Sequence, residues 1–160
     1  MELPKRKRTR LAGYDYGTAG AYFITICTKE RKQILSEIVG GDAYIAPENR
    51  LSELGKLCEQ YIVGMERTNE NVTVEKYVIM PNHIHLLLQL HGPMWASAPT
   101  KTVSDLVRSF KILVTKEVGV SIFQRSFHDH IIRDQKDYDK IWEYIDTNVL
   151  KWQLDCFYTE

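Results

Sequence analysis

Apolar residues along this chain switch between a period of two and a period of three to four, and the switches mark its elements. Ala21-Tyr22-Phe23-Ile24-Thr25-Ile26-Cys27-Thr28 is β-branched and aromatic and reads as a strand. Ile34 to Ile45 reads as a weaker hairpin turning at Gly40-Gly41-Asp42. Leu51, Leu54, Leu57, Cys58, Tyr61, Ile62 and Met65 recur at helical spacing, which predicts an amphipathic helix over 51–65. Val72 to Leu90 reads as a long strand, with Pro81-Asn82 as a kink or bulge within it. Residues 91–100 read as a Pro-containing loop. Thr102-Val103-Ser104-Asp105 matches the acidic variant of a capping box. Behind it, Val103, Leu106, Val107, Phe110, Leu113 and Val114 give a helix its apolar face. Ile122 to Ile132 reads as a strand. Asp134 caps a last helix through about 150, with Tyr138, Ile141, Trp142 and Ile145 turned inward.

This order of strand, hairpin, helix, strand, helix, strand and helix predicts an α+β fold. A ferredoxin-like antiparallel sheet with helices on one face is its compact form. The length of 160 residues suits a single domain over 13–160, preceded by an arm over 1–12. A 44% hydrophobic content excludes a disordered chain, and three cysteines are too few for a disulfide scaffold. Cys27, Cys58 and Cys156 are widely spaced and odd in number, which predicts reduced thiols in a cytoplasmic protein. No apolar run reaches the roughly 18 residues of a membrane span, and no signal-peptide pattern opens the chain.

The formal net charge is zero, but it is unevenly distributed. Lys5, Arg6, Lys7, Arg8 and Arg10 stand against Glu2 alone, a net of +4. Residues 30–75 carry a net of −4, and residues 101–133 a net of +3. Attraction to a polyanion follows the local potential, not the total. The zero sum therefore does not exclude nucleic acid.

His83 and His85 alternate with Ile84 on a strand, so both imidazoles face one side. By itself this pair fits either half of a metal site or two hydrogen-bonded histidines. Tyr144 and Asn148 are four apart on the last helix and share a face. That pairing fits either a nucleophile beside a metal ligand or a half-buried tyrosine near a helix end. Tyr138, six residues earlier, lies roughly 120° around the helix and reads as core.

Four stretches in matching order resemble the single-tyrosine HUH transposases, in particular the branch associated with repetitive extragenic palindromes (REPs). They are Tyr77 to Leu87 around His83-Ile84-His85, Val107-Arg108-Ser109-Phe110-Lys111, Phe123 to Arg133, and Ile141 to Asn148. The resemblance covers roughly residues 10–155. It implies the HUH endonuclease fold, with His83, His85 and Asn148 holding a divalent cation, Mg²⁺ or Mn²⁺, and Tyr144 as nucleophile. The implied reaction is nicking of single-stranded DNA beside a hairpin, through a 5′-phosphotyrosine, followed by strand transfer. The branch commonly has Pro after the helix Asn, and here Val149 follows.

Under that reading Lys5, Arg6, Lys7, Arg8, Arg10, Arg108, Lys111 and Arg125 are candidate phosphate contacts. Trp95 and Tyr14 are candidates for stacking on unpaired bases. The expected partner is single-stranded or hairpin DNA, with no membrane association, and the protein is a monomer or a homodimer. The rival readings are a hairpin-binding module without catalysis, a replication-initiator or relaxase-type nickase, and a metal-dependent hydrolase of small substrates. The basic arm, and the lack of Asp or Glu beside His83 and His85, weigh against the last.

Overall fold

The computed structural model describes residues 10–92 and 101–160. Expectations for Lys5, Arg6, Lys7, Arg8 and Trp95 lie outside the described residues. The chain runs through β1 (Gly20–Cys27), β2 (Ser36–Val39), β3 (Glu48–Leu51), α1 (Glu53–Thr68), β4 (Val72–Ile79), β5 (His83–Leu90), α2 (Val103–Val118), β6 (His128–Ile132) and α3 (Gln135–Thr147). The main sheet has the order β4-β5-β1-β6, antiparallel at every pairing. With α1 and α2 between its strands this is the ferredoxin-like βαββαβ arrangement. The strands β2 and β3 form a separate ribbon.

Alternation along β1 and β5 divides their residues between the two faces of the sheet. Ile24, Ile26, Ile84, Leu86 and Leu88 are fully buried in one core with Cys58, Ile62, Val107, Phe110 and Val114 of α1 and α2. Burying each such aliphatic side chain contributes roughly 1.5–3 kcal/mol. The opposite face carries Thr25, His83 and His85, and α3 crosses it. A bulge between Val74 and Lys76 shifts the register of β4 against β5. There Lys76 reaches α3 and pairs with Asp146 at 2.7 Å.

Local chemistry sets the helix ends. The Ser52 hydroxyl accepts the Gly55 N–H at 3.0 Å, starting α1. Gly55 lies against the Leu35 carbonyl, where a Cβ would collide with backbone. The capping box at Thr102 and Asp105 is present in full. The helix α2 stops at Gly119, whose φ of 82° suits glycine, with its N–H on the Thr115 carbonyl. Asp134 accepts the Asp137 N–H at 2.8 Å, as its capping role requires.

The structure corrects several local expectations. The run 72–90 is two antiparallel strands, not one, and Pro81-Asn82 lie in the turn between them. The second strand of the early hairpin is Glu48–Leu51, beyond Ile45, so the connection spans residues 40–47. The last long strand is confined to His128–Ile132, while Phe123 makes only an isolated bridge to Thr28. Tyr138 and Trp142 are not core. They stack on each other at 6.0 Å near the surface, with the Lys76 ammonium 4.2 Å from the Trp142 ring centre. Of α3 only Ile145 is buried, and Leu113 of α2 is exposed.

Candidate metal and tyrosine site

The antiparallel pairing sets Thr25 opposite His85 and Cys27 opposite His83. Both imidazoles are buried, at 0% and 1% exposure, with ring centres 4.5 Å apart. Packing closes around them. Phe23 stacks on His85 at 5.0 Å, and the Tyr144 ring lies 5.2 Å from His85. Phe157 lies 4.6 Å from His83.

Each Nδ1 has a partner. His83 Nδ1 lies 2.8 Å from Asn82 Oδ1, and His85 Nδ1 lies 2.8 Å from the Thr25 hydroxyl. The Asn82 amide nitrogen donates to the Phe157 carbonyl at 2.8 Å, which leaves its oxygen as the acceptor. His83 Nδ1 therefore carries the proton, and its Nε2 carries the lone pair.

The Nε2 atoms of both histidines are buried and have no hydrogen-bond partner. The same is true of Asn148 Oδ1 on the first residue past α3. A buried polar atom without a partner costs free energy, so native proteins keep few of them. Among the described residues the other such atoms belong to Asn49, Asn69, Asn71 and Asp129. Two imidazole nitrogens and an amide oxygen, all unpaired, are a donor set that a divalent cation satisfies.

Electrostatics agree. Burial depresses His83 to about 4, with the Asp155 carboxylate partly opposing it. Burial also drives His85 well below its ordinary range, and His83 adds to that. Both rings are neutral at neutral pH, the state in which imidazole ligates.

The tyrosine stands beside this cluster. The Tyr144 hydroxyl donates to Asp155 Oδ2 at 3.1 Å, and the Asn148 amide nitrogen donates to the same oxygen at 2.9 Å. Burial, with the Asp155 charge second, raises the phenol above its ordinary value. Asp155 is the residue that sequence reasoning missed. Ligand atoms of His83, His85 and Asp155 all lie within 4.8 Å of one another. Asp155 lies past α3 in no recognisable motif, so no sequence signal pointed to it.

The basic candidates form a separate region. Arg10, Arg108, Lys111, Lys116, Arg125 and Phe127 line a groove of about 850 Å³ along α2, with Asp105 at its margin. Arg10 places its guanidinium 4.6 Å from the Phe127 ring centre. Arg108 and Arg125 are exposed. Lys111 differs from expectation, because its ammonium turns into the protein. It donates to the Gln124 carbonyl at 2.8 Å and lies 3.4 and 3.3 Å from those of Arg125 and Ser126. Burial lowers it to about 8. Tyr14 also departs from expectation. It is half-buried, packed edge-on against Tyr16 at 5.2 Å, with its hydroxyl 3.2 Å from that of Tyr22.

All three thiols, Cys27, Cys58 and Cys156, are free. Among the described residues no helix is long and apolar enough to cross a membrane.

No protein-family model matches the chain. Two Haemophilus influenzae proteins are similar to it. One, uncharacterised, is 31% identical over 175 residues, covering 97% of this chain and 94% of its own. The other bears the name REP-associated tyrosine transposase and is 31% identical over 147 residues, covering 86% of this chain and 74% of its own. Among solved structures, a REP-associated tyrosine transposase bound to a REP hairpin superposes with a TM-score of 0.64 at 21% identity. That match covers 94% of this chain and 74% of the other. A Deinococcus radiodurans protein described as a transposase matches with a TM-score of 0.50 at 17% identity, covering 86% of this chain and 95% of the other. The fold thus recurs in both solved structures, and the 31% identity to the transposase relative over 86% of this chain shows the family: the chain belongs to the REP-associated tyrosine transposases.

Proposed function

We propose that this protein is a metal-dependent enzyme that nicks single-stranded DNA beside a hairpin and transfers the strand through a 5′-phosphotyrosine on Tyr144. The observation that carries this reading is the convergence of three buried, unpaired donor atoms on a tyrosine. They are His83 Nε2, His85 Nε2 and Asn148 Oδ1. His83, His85 and Asn148 would hold a divalent cation, Mg²⁺ or Mn²⁺, which when bound would offset charge on a scissile phosphate and on the leaving 3′ oxygen. The mixed imidazole and amide set favours Mn²⁺ over Mg²⁺.

The chain's own groups do the rest. Tyr144 Oη attacks phosphorus as the P–O3′ bond breaks, leaving a 3′-OH and a protein-linked 5′ phosphate. The phosphoester bond is conserved in that link, so a later 3′-OH can reverse the step onto another strand. Packing by Phe23, Phe157 and Trp152 excludes water from the histidines. Water exclusion favours transfer over hydrolysis. Arg10, Arg108 and Arg125 contact phosphates, together with Lys5 to Arg8 of the arm. Lys111 contributes by holding the 124–126 backbone that presents Arg125. Residues 13–160 act as one domain behind the arm. The REP hairpin bound by the structural relative supports a hairpin as this protein's partner.

The test uses single-stranded DNA with a hairpin, labelled on the 3′ side, incubated with the protein and Mn²⁺ or Mg²⁺. The expected result is a covalent protein–DNA band that needs metal and vanishes in Tyr144→Phe but persists in Tyr138→Phe. Tight binding without a band would instead make the protein a hairpin-binding module.

A further inference from the structure

Asn148 presents an ambiguity that its own helix does not resolve. A carboxamide has an oxygen and a nitrogen at nearly the same place, and a half-turn of the side chain exchanges them. With the oxygen toward the histidines, Asn148 adds a third lone-pair donor to the two Nε2 atoms. With the nitrogen there, its N–H would donate to an imidazole and close the site to a cation. Something outside α3 has to decide between these states.

We propose that Asp155 is the positioning residue of this site: by accepting the Asn148 N–H it turns the amide oxygen toward His83 and His85. This rests on the metal-and-tyrosine reading above. A carboxylate oxygen accepts and cannot donate, so only the Asn148 nitrogen can face Asp155 Oδ2, at 2.9 Å. Asn148 Oδ1 is thereby left buried and without a partner. The same Oδ2 accepts a hydrogen bond from the Tyr144 hydroxyl at 3.1 Å. One oxygen therefore sets the direction of both functional side chains on the helix.

Asp155 is itself held. Its Oδ1 accepts the Phe157 N–H at 2.8 Å, and the Phe157 carbonyl accepts from Asn82 at 2.8 Å. Asn82 in turn fixes His83 through Nδ1. The β4–β5 turn, the segment after α3 and the end of α3 thus share one hydrogen-bonded chain. A carboxylate offers about four lone-pair positions, and Asp155 already receives three donors. That occupancy favours orienting over direct ligation.

Equilibrium Mn²⁺ binding without DNA tests this. The proteins are the full chain, Asn148→Ala, Asp155→Ala and the double variant, with His83→Ala/His85→Ala as the control. Asp155→Ala is expected to weaken Mn²⁺ binding about 10–100-fold, the usual cost of losing a group that orients a ligand. In the Asn148→Ala background the same change is expected to cost nothing further, because the amide it positions is gone. If Asp155→Ala fails to fold by circular dichroism, Asp155→Leu, close in volume and unable to accept a hydrogen bond, carries the same comparison. Losses that add in full mean direct ligation and overturn the positioning role. Wild-type affinity in Asp155→Ala overturns it as well, and leaves the metal reading intact. A full chain that binds no Mn²⁺, or a histidine variant that binds as well, overturns the metal reading and this proposal together.

Discussion

Around Lys111 and around His83 the protein treats polar groups turned inward in opposite ways. The Lys111 ammonium is matched by three nearby carbonyls of residues 124–126. His83, His85 and Asn148 are each matched on one side only, and the remaining lone pairs are buried without a partner. A fully matched group holds structure together. A half-matched one is destabilising unless a ligand completes it. The contrast separates scaffold from site more sharply than charge does, since by charge alone Lys111 looked functional and Asn148 did not.

The largest expected effect comes from the half-matched side. His85→Ala removes a lone pair that no neighbour replaces. It should lower Mn²⁺ affinity by more than about 100-fold, beyond the range for groups that only orient a ligand. Calorimetric titration reads this directly. An unchanged affinity would place the cation elsewhere.

On the matched side the expected loss is in stability. Lys111→Met keeps the aliphatic stem but strips its donors from the carbonyls, at a cost of about 1–3 kcal/mol. For a chain of this size each kcal/mol is roughly 2–4 °C in Tm. Arg108→Ala and Arg125→Ala should leave Tm nearly unchanged. Each should instead lower the slope of log binding constant against log salt by about 1 for hairpin DNA. Should Lys111→Met behave like the arginine variants, the distinction between the two regions fails.

The smallest effect is a pH dependence of the metal-free protein. Above the ordinary histidine value of 6.5, His83 is neutral folded and unfolded. Between 6.5 and about 4 the unfolded chain takes up a proton that the folded one refuses, so stability falls as pH falls. The contribution of His83 levels off below about 4. The slope is at most about 1.4 kcal/mol per pH unit for each such group. Urea denaturation across this window should be less steep in pH for His83→Gln than for the natural chain. Equal slopes would mean that His83 is not held neutral.

The parts of the molecule that sequence revealed are those governed by local rules. Thr102 and Asp134 cap the helices they were expected to cap, and Ile84, Leu86 and Leu88 lie opposite His83 and His85 as alternation requires. From sequence Pro81-Asn82 reads as a bend in a strand, because apolar residues flank it on both sides. Only the pairing of β4 with β5 makes it a turn. Trp142 and Tyr138 look like core by their place around the helix, but Trp142 meets the Lys76 ammonium at the β4 bulge rather than an apolar pocket. Tyr144 and Asn148 were legible from a four-residue spacing and a family resemblance. Asp155 was not, because its place depends on how the chain folds back after the helix.

In the proposed reaction Tyr144 carries the DNA. Peptide mapping by mass spectrometry, after reaction with hairpin-bearing single-stranded DNA and Mn²⁺, tests it most directly. The expected product is a 5′-phosphonucleotide on the peptide containing Tyr144, absent from Tyr144→Phe and from metal-free reactions. An adduct on Tyr138 or any other residue, or cleavage with no protein-linked nucleotide, would contradict it.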